Sequence, residues 1–229
     1  LNLDIPFDGT EVDASGKVYF KHTPITLTTP HLAIDNVNGS LGFHNNKINA
    51  QGLTGLLYQQ PIQFGFDGNN VNKSADYKVN VSVGGQWQLA KLNAFLPPAV
   101  LKNVSGSSDW KAHIGVNIKP SRFDYNVGVT IPLTHISTQL PYPLQQPQDT
   151  ATALTVSVNG NETQLYAQAL LPDVSYQAQV SLLTKTPKII ASNLTIGERR
   201  LLAQPLQGQQ VQINSRQFNA DQWLAVVKQ

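Results

Sequence analysis

Phe123-Asp124-Tyr125-Asn126-Val127-Gly128-Val129-Thr130-Ile131 puts an apolar side chain at every second position, with only small or polar groups between. Consecutive side chains on an extended chain point to opposite faces, so a segment with this period has one apolar side and one wet side. The same pattern runs through Trp110-Lys111-Ala112-His113-Ile114-Gly115-Val116-Asn117-Ile118, through Tyr77 to Val83, and through Val174 to Leu182. A chain of such segments builds a large antiparallel sheet with a single apolar side. Whatever covers that side, protein or something carried, decides what the molecule does.

Outward from this stretch the chain reads as short strands and turns. An opening strand alternates Leu1, Leu3, Ile5 and Phe7 against Asn2 and Asp4 and turns at Asp8-Gly9. A second runs from about Val12 to Lys21, with Gly16 as a bulge or turn. Ile25 and Leu27 predict a short strand closed by Pro30, Leu32 to Val37 predicts another, and Asn38-Gly39 is a strong turn signal. A hairpin turn is expected at Asn45-Asn46, a break at Gln60-Pro61, and a further turn at Asp67-Gly68-Asn69-Asn70.

Residues 88–102 abandon the alternation. Leu89, Leu92, Phe95, Leu96, Val100 and Leu101 fit helical spacing, and Pro97-Pro98 suits a first helical turn, so a short helix is expected near 95–102. Leu140-Pro141-Tyr142-Pro143-Leu144-Gln145-Gln146-Pro147 reads as an extended connector, because proline donates nothing to a β-ladder. It divides the chain into a sheet segment over 1–139, the connector at 140–147, and a continuation over 148–229. The continuation carries strands near 152–158, 163–170, 174–183, 187–196, 199–204 and 209–214, then a helix over 219–228 capped by Asn219. Asn36-Val37-Asn38-Gly39-Ser40 returns 67 residues later as Asn103-Val104-Ser105-Gly106-Ser107, by chance or by duplication of a sheet-building unit.

At 229 residues the chain is long enough to bury a substantial core, as one all-β domain or two small ones. Charged residues are 13% and the net charge is +2, and Arg199-Arg200 is the densest basic spot, so a nucleic-acid partner is excluded. The absence of cysteine excludes a disulfide scaffold, thiol catalysis and cysteine-bound zinc. Polarity comes from amides and hydroxyls instead, with 22 Gln, as is common on the wet faces of secreted and envelope proteins. Opening mid-pattern and without Met, the chain reads as a piece of something longer. It has no apolar run of the roughly 18–20 residues that span a bilayer and no visible signal peptide.

Catalytic and metal chemistry find no constellation. His22, His31, His44, His113 and His135 are scattered, without a ligand pair at i, i+4 or an H-x-H on one face. Asp109, Asp124 and Asp173 are isolated, so no carboxylate dyad is specified. No Gly-x-Ser-x-Gly elbow occurs, and Asp67-Gly68-Asn69-Asn70 lacks the acidic ligand that would complete a calcium loop. The expectation is a protein that is not an enzyme and uses no cofactor or metal.

Three landmarks in order carry a family likeness. Leu32-x-Ile34-x-Asn36-Val37-x-Gly39-x-Leu41-x-Phe43 is followed by Leu53 and Tyr58-Gln59-Gln60-Pro61-Ile62; then come Ile136-Ser137-Thr138-Gln139-Leu140-Pro141-Tyr142-Pro143-Leu144 and Asp221-Gln222-Trp223-Leu224. Together they resemble the C-terminal region of the AsmA-like envelope proteins of Gram-negative bacteria, most closely the YhdP family. Gln60 departs from the family pattern and puts a tight turn there in question. The resemblance implies a periplasmic segment of a protein anchored in the inner membrane by a helix outside this sequence. It implies an extended sheet curled into an apolar groove that moves phospholipid towards the outer membrane, with phospholipid acyl chains and envelope components of both membranes as partners.

Periodicity alone fits a closed β-sandwich equally well, since a sandwich core also needs one apolar face per strand. A carbohydrate-binding module would need aromatics on a wet face, whereas Trp87 and Trp110 fall on the apolar phase. With the resemblance added, the expected fold is all-β: a long curved antiparallel meander forming an apolar groove, a β-taco or half-barrel, with one or two short helices. The lipid-groove candidates are Val79, Val81, Val83, Trp110, Ile114, Val116, Ile118, Phe123, Tyr125, Val127, Val129 and Ile131.

Overall fold

The computed structural model describes residues 2–4, 13–27, 32–71, 75–93, 98–147, 149–184, 186–198, 201–215 and 217–228. The expected turn at Asp8-Gly9, Pro30 at the end of the predicted short strand, and Phe95 to Pro97 lie outside them. Two compact units divide the chain: residues 1–85 with 111–125, and residues 86–110 with 126–229.

The first unit holds β1 (Asn2–Asp4), β2 (Asp13–Leu27), β3 (Leu32–His44), β4 (Lys47–Leu57), β5 (Gln60–Asn70) and most of β6 (Tyr77–Gln88). Two further strands, β7 (Val104–Lys119) and β8 (Arg122–Pro132), contribute to both units. The second unit adds β9 (Ile136–Thr138), β10 (Ala153–Asn161), β11 (Gln164–Leu171), β12 (Val174–Ser181), β13 (Lys188–Gly197) and β14 (Gln209–Asn214). Strands neighbour one another in chain order from β1 to β14, with β9 set aside against β7, so the sheet is an open meander with β1 and β14 at its two ends. Two-residue turns between β3 and β4, β4 and β5, β7 and β8, β10 and β11, and β11 and β12 enforce part of this order, because a strand reversed so tightly can only pair with its predecessor. At Asn45-Asn46 the reversal is as expected; at Tyr58-Gln59 both residues take positive φ (50° and 62°), so the tight turn before Gln60 forms.

Several turn signals turn out to be bulges or strand. Asn38-Gly39 does not reverse the chain: β3 runs through it, and the register with β4 shifts between Asp35 and Asn38 and again before Leu41. Gly39 takes φ 131°, where a Cβ would meet Leu53 Cδ2 at 2.6 Å. Its neighbours bulge at the same level, β2 around His22 and β4 between Ala50 and Leu53, so three adjacent strands share one transverse line of irregularity. Each bulge increases local twist and bend. Side chains hold the line: His22 N donates to Asn38 Oδ1 at 3.0 Å, and Asn38 Nδ2 to Asn36 O at 2.8 Å. Ile25 and Leu27 accordingly belong to β2 rather than to a strand of their own, and Gly16 lies in regular pairing opposite Phe43. Asp67 to Asn70 is strand, paired with Tyr77 to Asn80 and braced by Asn80 Nδ2 donating to Asp67 Oδ2 at 3.0 Å.

In the second unit, β10 to β13 are antiparallel and β14 joins β13 in parallel, a departure from the expected antiparallel order. The expected strand at 199–204 is the reason: its described part, 201–204, is irregular and belongs to the crossover that carries the chain back to start β14. The interruption at 88–102 holds a 3₁₀ turn at Leu89–Lys91 and the one-turn helix α1 (Pro98–Leu101). The last helix, α2 (Ala220–Val227), is capped by Asn219, whose side chain accepts from the N–H groups of Asp221 and Gln222 at 3.0 and 3.2 Å.

Candidate functional site

Registers show which side chains share a face, since directly opposed residues of an antiparallel pair stand side by side. In the first unit Val18 opposes Leu41; Leu41 and Phe43 oppose Ala50 and Ile48; Ala50 and Leu53 oppose Phe66 and Phe64; and these oppose Val81 and Val83. One apolar face therefore extends across β2 to β6. Polar contacts extend the assignment to β7 and β8. Ser82 Oγ lies 3.3 Å from His113 Nδ1, and Lys119 Nζ donates to Asp124 Oδ2 at 2.6 Å, which puts the polar phases of β6, β7 and β8 on one side. The alternate phase, Val79, Val81, Val83, Ile114, Val116, Ile118, Phe123 and Tyr125, stands on the other side with the apolar residues of β2 to β5. Phe123 and Tyr125 are stacked, with ring centroids 6.1 Å apart.

The four remaining candidates lie in the second unit. Val127, Val129 and Ile131 continue the half-buried phase of β8 while Asn126, Gly128 and Thr130 are exposed. Trp110 is buried on its strand, its ring centroid 4.6 Å from that of Trp87. Beyond them, Val156 and Val158 oppose Ala169 and Ala167, which oppose Tyr176 and Ala178, and Tyr176 opposes Leu194. This apolar side ends on Val211 and Ile213 of the edge strand, 66% and 45% exposed.

Sequence reasoning missed the residues of β3 to β5 on this face, chiefly Leu41, Phe43, Ile48, Leu53, Phe64 and Phe66. Burial on the face is graded: Leu53 and Val37, beside the line of bulges, are fully buried, whereas Val18 and Ile118 are each 44% exposed. The face is accessible towards the Asn45-Asn46 turn and packed away from it.

The opposite side is wet in the first unit and covered in the second. Ser175, Gln177, Asn193 and Thr195 on β12 and β13 are all essentially inaccessible. Gln177 captures the crossover as a backbone would: its Nε2 donates to Leu202 O at 3.0 Å and its Oε1 accepts from Leu202 N at 2.9 Å. The same Nε2 donates to Tyr166 Oη at 2.5 Å. Leu206 is buried in the same crossover.

Ionisable groups are few here. The hydrogen bond from Lys119 holds the Asp124 carboxyl below the usual range, and burial pushes the Tyr77 and Tyr125 hydroxyls up. Among the described residues no three His, Cys, Asp or Glu side chains are placed to hold a metal ion, and no helix is long and apolar enough to cross a membrane.

Comparison with known proteins bears on what this apolar sheet face does. The YhdP protein family matches the chain over residues 1–229. The chain belongs to the YhdP family. It is 32% identical over 162 residues to the intermembrane phospholipid transporter YhdP of Escherichia coli (strain K12), an alignment that covers 70% of this chain and 13% of that protein. No solved structure matches.

Two of the landmarks that carried the YhdP likeness meet in space. Trp223 of α2 donates its indole N–H to the carbonyl of Tyr142 at 2.9 Å, so the terminal Asp221-Gln222-Trp223-Leu224 is latched to the proline-rich connector 81 residues earlier. Leu140 of that connector is buried.

Proposed function

We propose that this chain is a periplasmic segment of a bridge-like lipid transfer protein, and that its apolar face shields phospholipid acyl chains between the inner and outer membranes. The observation that carries this reading is the single apolar face, built from β2 to β8 in the first unit and left partly accessible along its length. Membership of the YhdP family, with a relative named for intermembrane phospholipid transport, supports the lipid as the occupant.

The physical task is modest. Burying a methylene is worth about 0.8 kcal/mol, so a sixteen-carbon chain gains about 12 kcal/mol in any apolar setting. A bilayer already supplies that gain, so the protein needs only to keep the tails from water between membranes. A strip of Val, Ile, Leu and Phe does so without a tight site, and the head group stays in solvent at the open side. No bond is made or broken in such a role, so the segment is not an enzyme. We place the connector at 140–147 as a joint between two successive stretches of the same sheet, residues 1–139 and 148–229.

Photo-crosslinking tests the proposal. A photoreactive residue at Val129 should capture phospholipid in cells, and the same residue at Thr130, one step away on the wet phase, should not. Equal labelling at both positions would remove the distinction between faces on which the proposal rests.

A further inference from the structure

On the apolar phase of β7, Trp110 carries a hydrogen-bond donor that no described residue satisfies. Trp110 is 9% exposed, and its indole Nε1 is buried without a hydrogen-bond partner. Trp223, in the same unit, shows the usual arrangement, its N–H bound to the Tyr142 carbonyl. Ser108, two residues before Trp110 on the same phase, already gives its hydroxyl proton to the Pro132 carbonyl at 2.6 Å. An indole N–H has no acceptor capacity, so only an incoming oxygen can satisfy it. A buried donor left unmade costs more than a made bond gains, and native structures leave few of them.

We infer that Trp110 marks an acceptor subsite on the apolar face, where the indole N–H binds the ester carbonyl oxygen of an acyl lipid. The inference rests on the lipid-carrying role proposed above and names the ligand chemistry within it. A hydrocarbon tail has no acceptor, and a phosphate would leave its remaining charge stranded against an apolar wall. A neutral ester carbonyl, lying where tail meets glycerol, brings one good acceptor and little desolvation cost. Trp87, packed against Trp110, gives the ring a fixed neighbour and limits its freedom to turn the N–H away.

Competition between a diacyl phosphatidylethanolamine and its dialkyl ether analogue, which lacks both carbonyls, tests this by native mass spectrometry of the 229-residue chain. One net hydrogen bond corresponds to an ester preference of about three- to tenfold, which Trp110→Phe should reduce to equal binding of the two lipids. In the unmodified chain the Trp110 indole ¹H–¹⁵N resonance should move downfield with the ester lipid and not with the ether, a readout that needs no variant to fold. Equal binding of ester and ether, or a preference that survives Trp110→Phe, would overturn the subsite and leave the carrier role standing. Failure of both lipids to bind would instead count against the carrier role itself.

Discussion

A carboxylate placed at two points of the apolar face separates a face that carries from one that is packed. Leu53 is fully buried beside Gly39. Leu53→Asp forfeits about 2 kcal/mol of side-chain transfer and strands an unpaired carboxylate that costs several kcal/mol more. Set against a total stability of about 5–15 kcal/mol, that loss should leave little folded protein. Val127 is half-buried on β8. Val127→Asp loses about 1 kcal/mol of transfer, and its carboxylate reaches water on the open side. Urea denaturation followed by far-ultraviolet circular dichroism should show Val127→Asp folded with a slightly lowered midpoint and Leu53→Asp unfolded or poorly expressed. On the proposed carrier role, Val127→Asp in the parent protein should be stable and unable to support envelope lipid balance, because a fixed charge would obstruct passing tails. Loss of folding at Val127 as severe as at Leu53 would mean that protein covers the β8 face and that the carrier reading fails.

Three further outcomes follow from named contacts. Gln177→Ala should destabilise the chain by about 2–4 kcal/mol, because both the N–H and the carbonyl of Leu202 lose their buried partner; hydrogen exchange should rise first at residues 201–206. Asn219→Ala should cost about 1 kcal/mol by uncapping α2, seen as faster exchange at Asp221 and Gln222 in the first turn. The Asp124 pKa is lowered in the folded state, so its pairing with Lys119 stabilises above the ordinary carboxylate range and is lost as pH falls through the lowered folded value; Lys119→Ala should bring the Asp124 carbon resonance back to titrating near its usual pH.

The period-two stretches of β6 and β8 were legible because their burial alternates as their sequences do, whereas β12 buries its polar Ser175 and Gln177. The face of β3 to β5 was not, and the bulges are the physical reason. Between Ala50 and Leu53 the apolar positions are three apart, so counting by twos loses the phase where the structure keeps it. Asn38-Gly39 misled for a related cause: the residues that allow positive φ in a turn also allow it in a bulge, and only the partner strand distinguishes the two. Gly106 is the counterpart in the repeated pentapeptide. It too has positive φ (114°) within a strand rather than at a turn, and a Cβ there would collide with the His135 carbonyl oxygen. The crossover at 201–208 could not be read as such, because what holds Leu202 is the side chain of Gln177 rather than a backbone ladder.

The second unit treats its two faces in the reverse of the usual order. Four polar residues, Ser175, Gln177, Asn193 and Thr195, are buried beneath or beside the crossover, while Val211 and Ile213 on the apolar side remain exposed. Burying polar side chains stabilises little unless the groups find partners; the amide of Gln177 finds them by pairing with Leu202 as a strand would, while Asn193 Oδ1 has none. Leaving two branched aliphatic residues in water forfeits about 1 kcal/mol each that a different crossover, laid across the apolar side, would have recovered. A sheet selected only for its own stability would cover the other face. The crossover of this chain instead runs over the polar side of β12 and β13, which is the routing that the proposed carrier role requires.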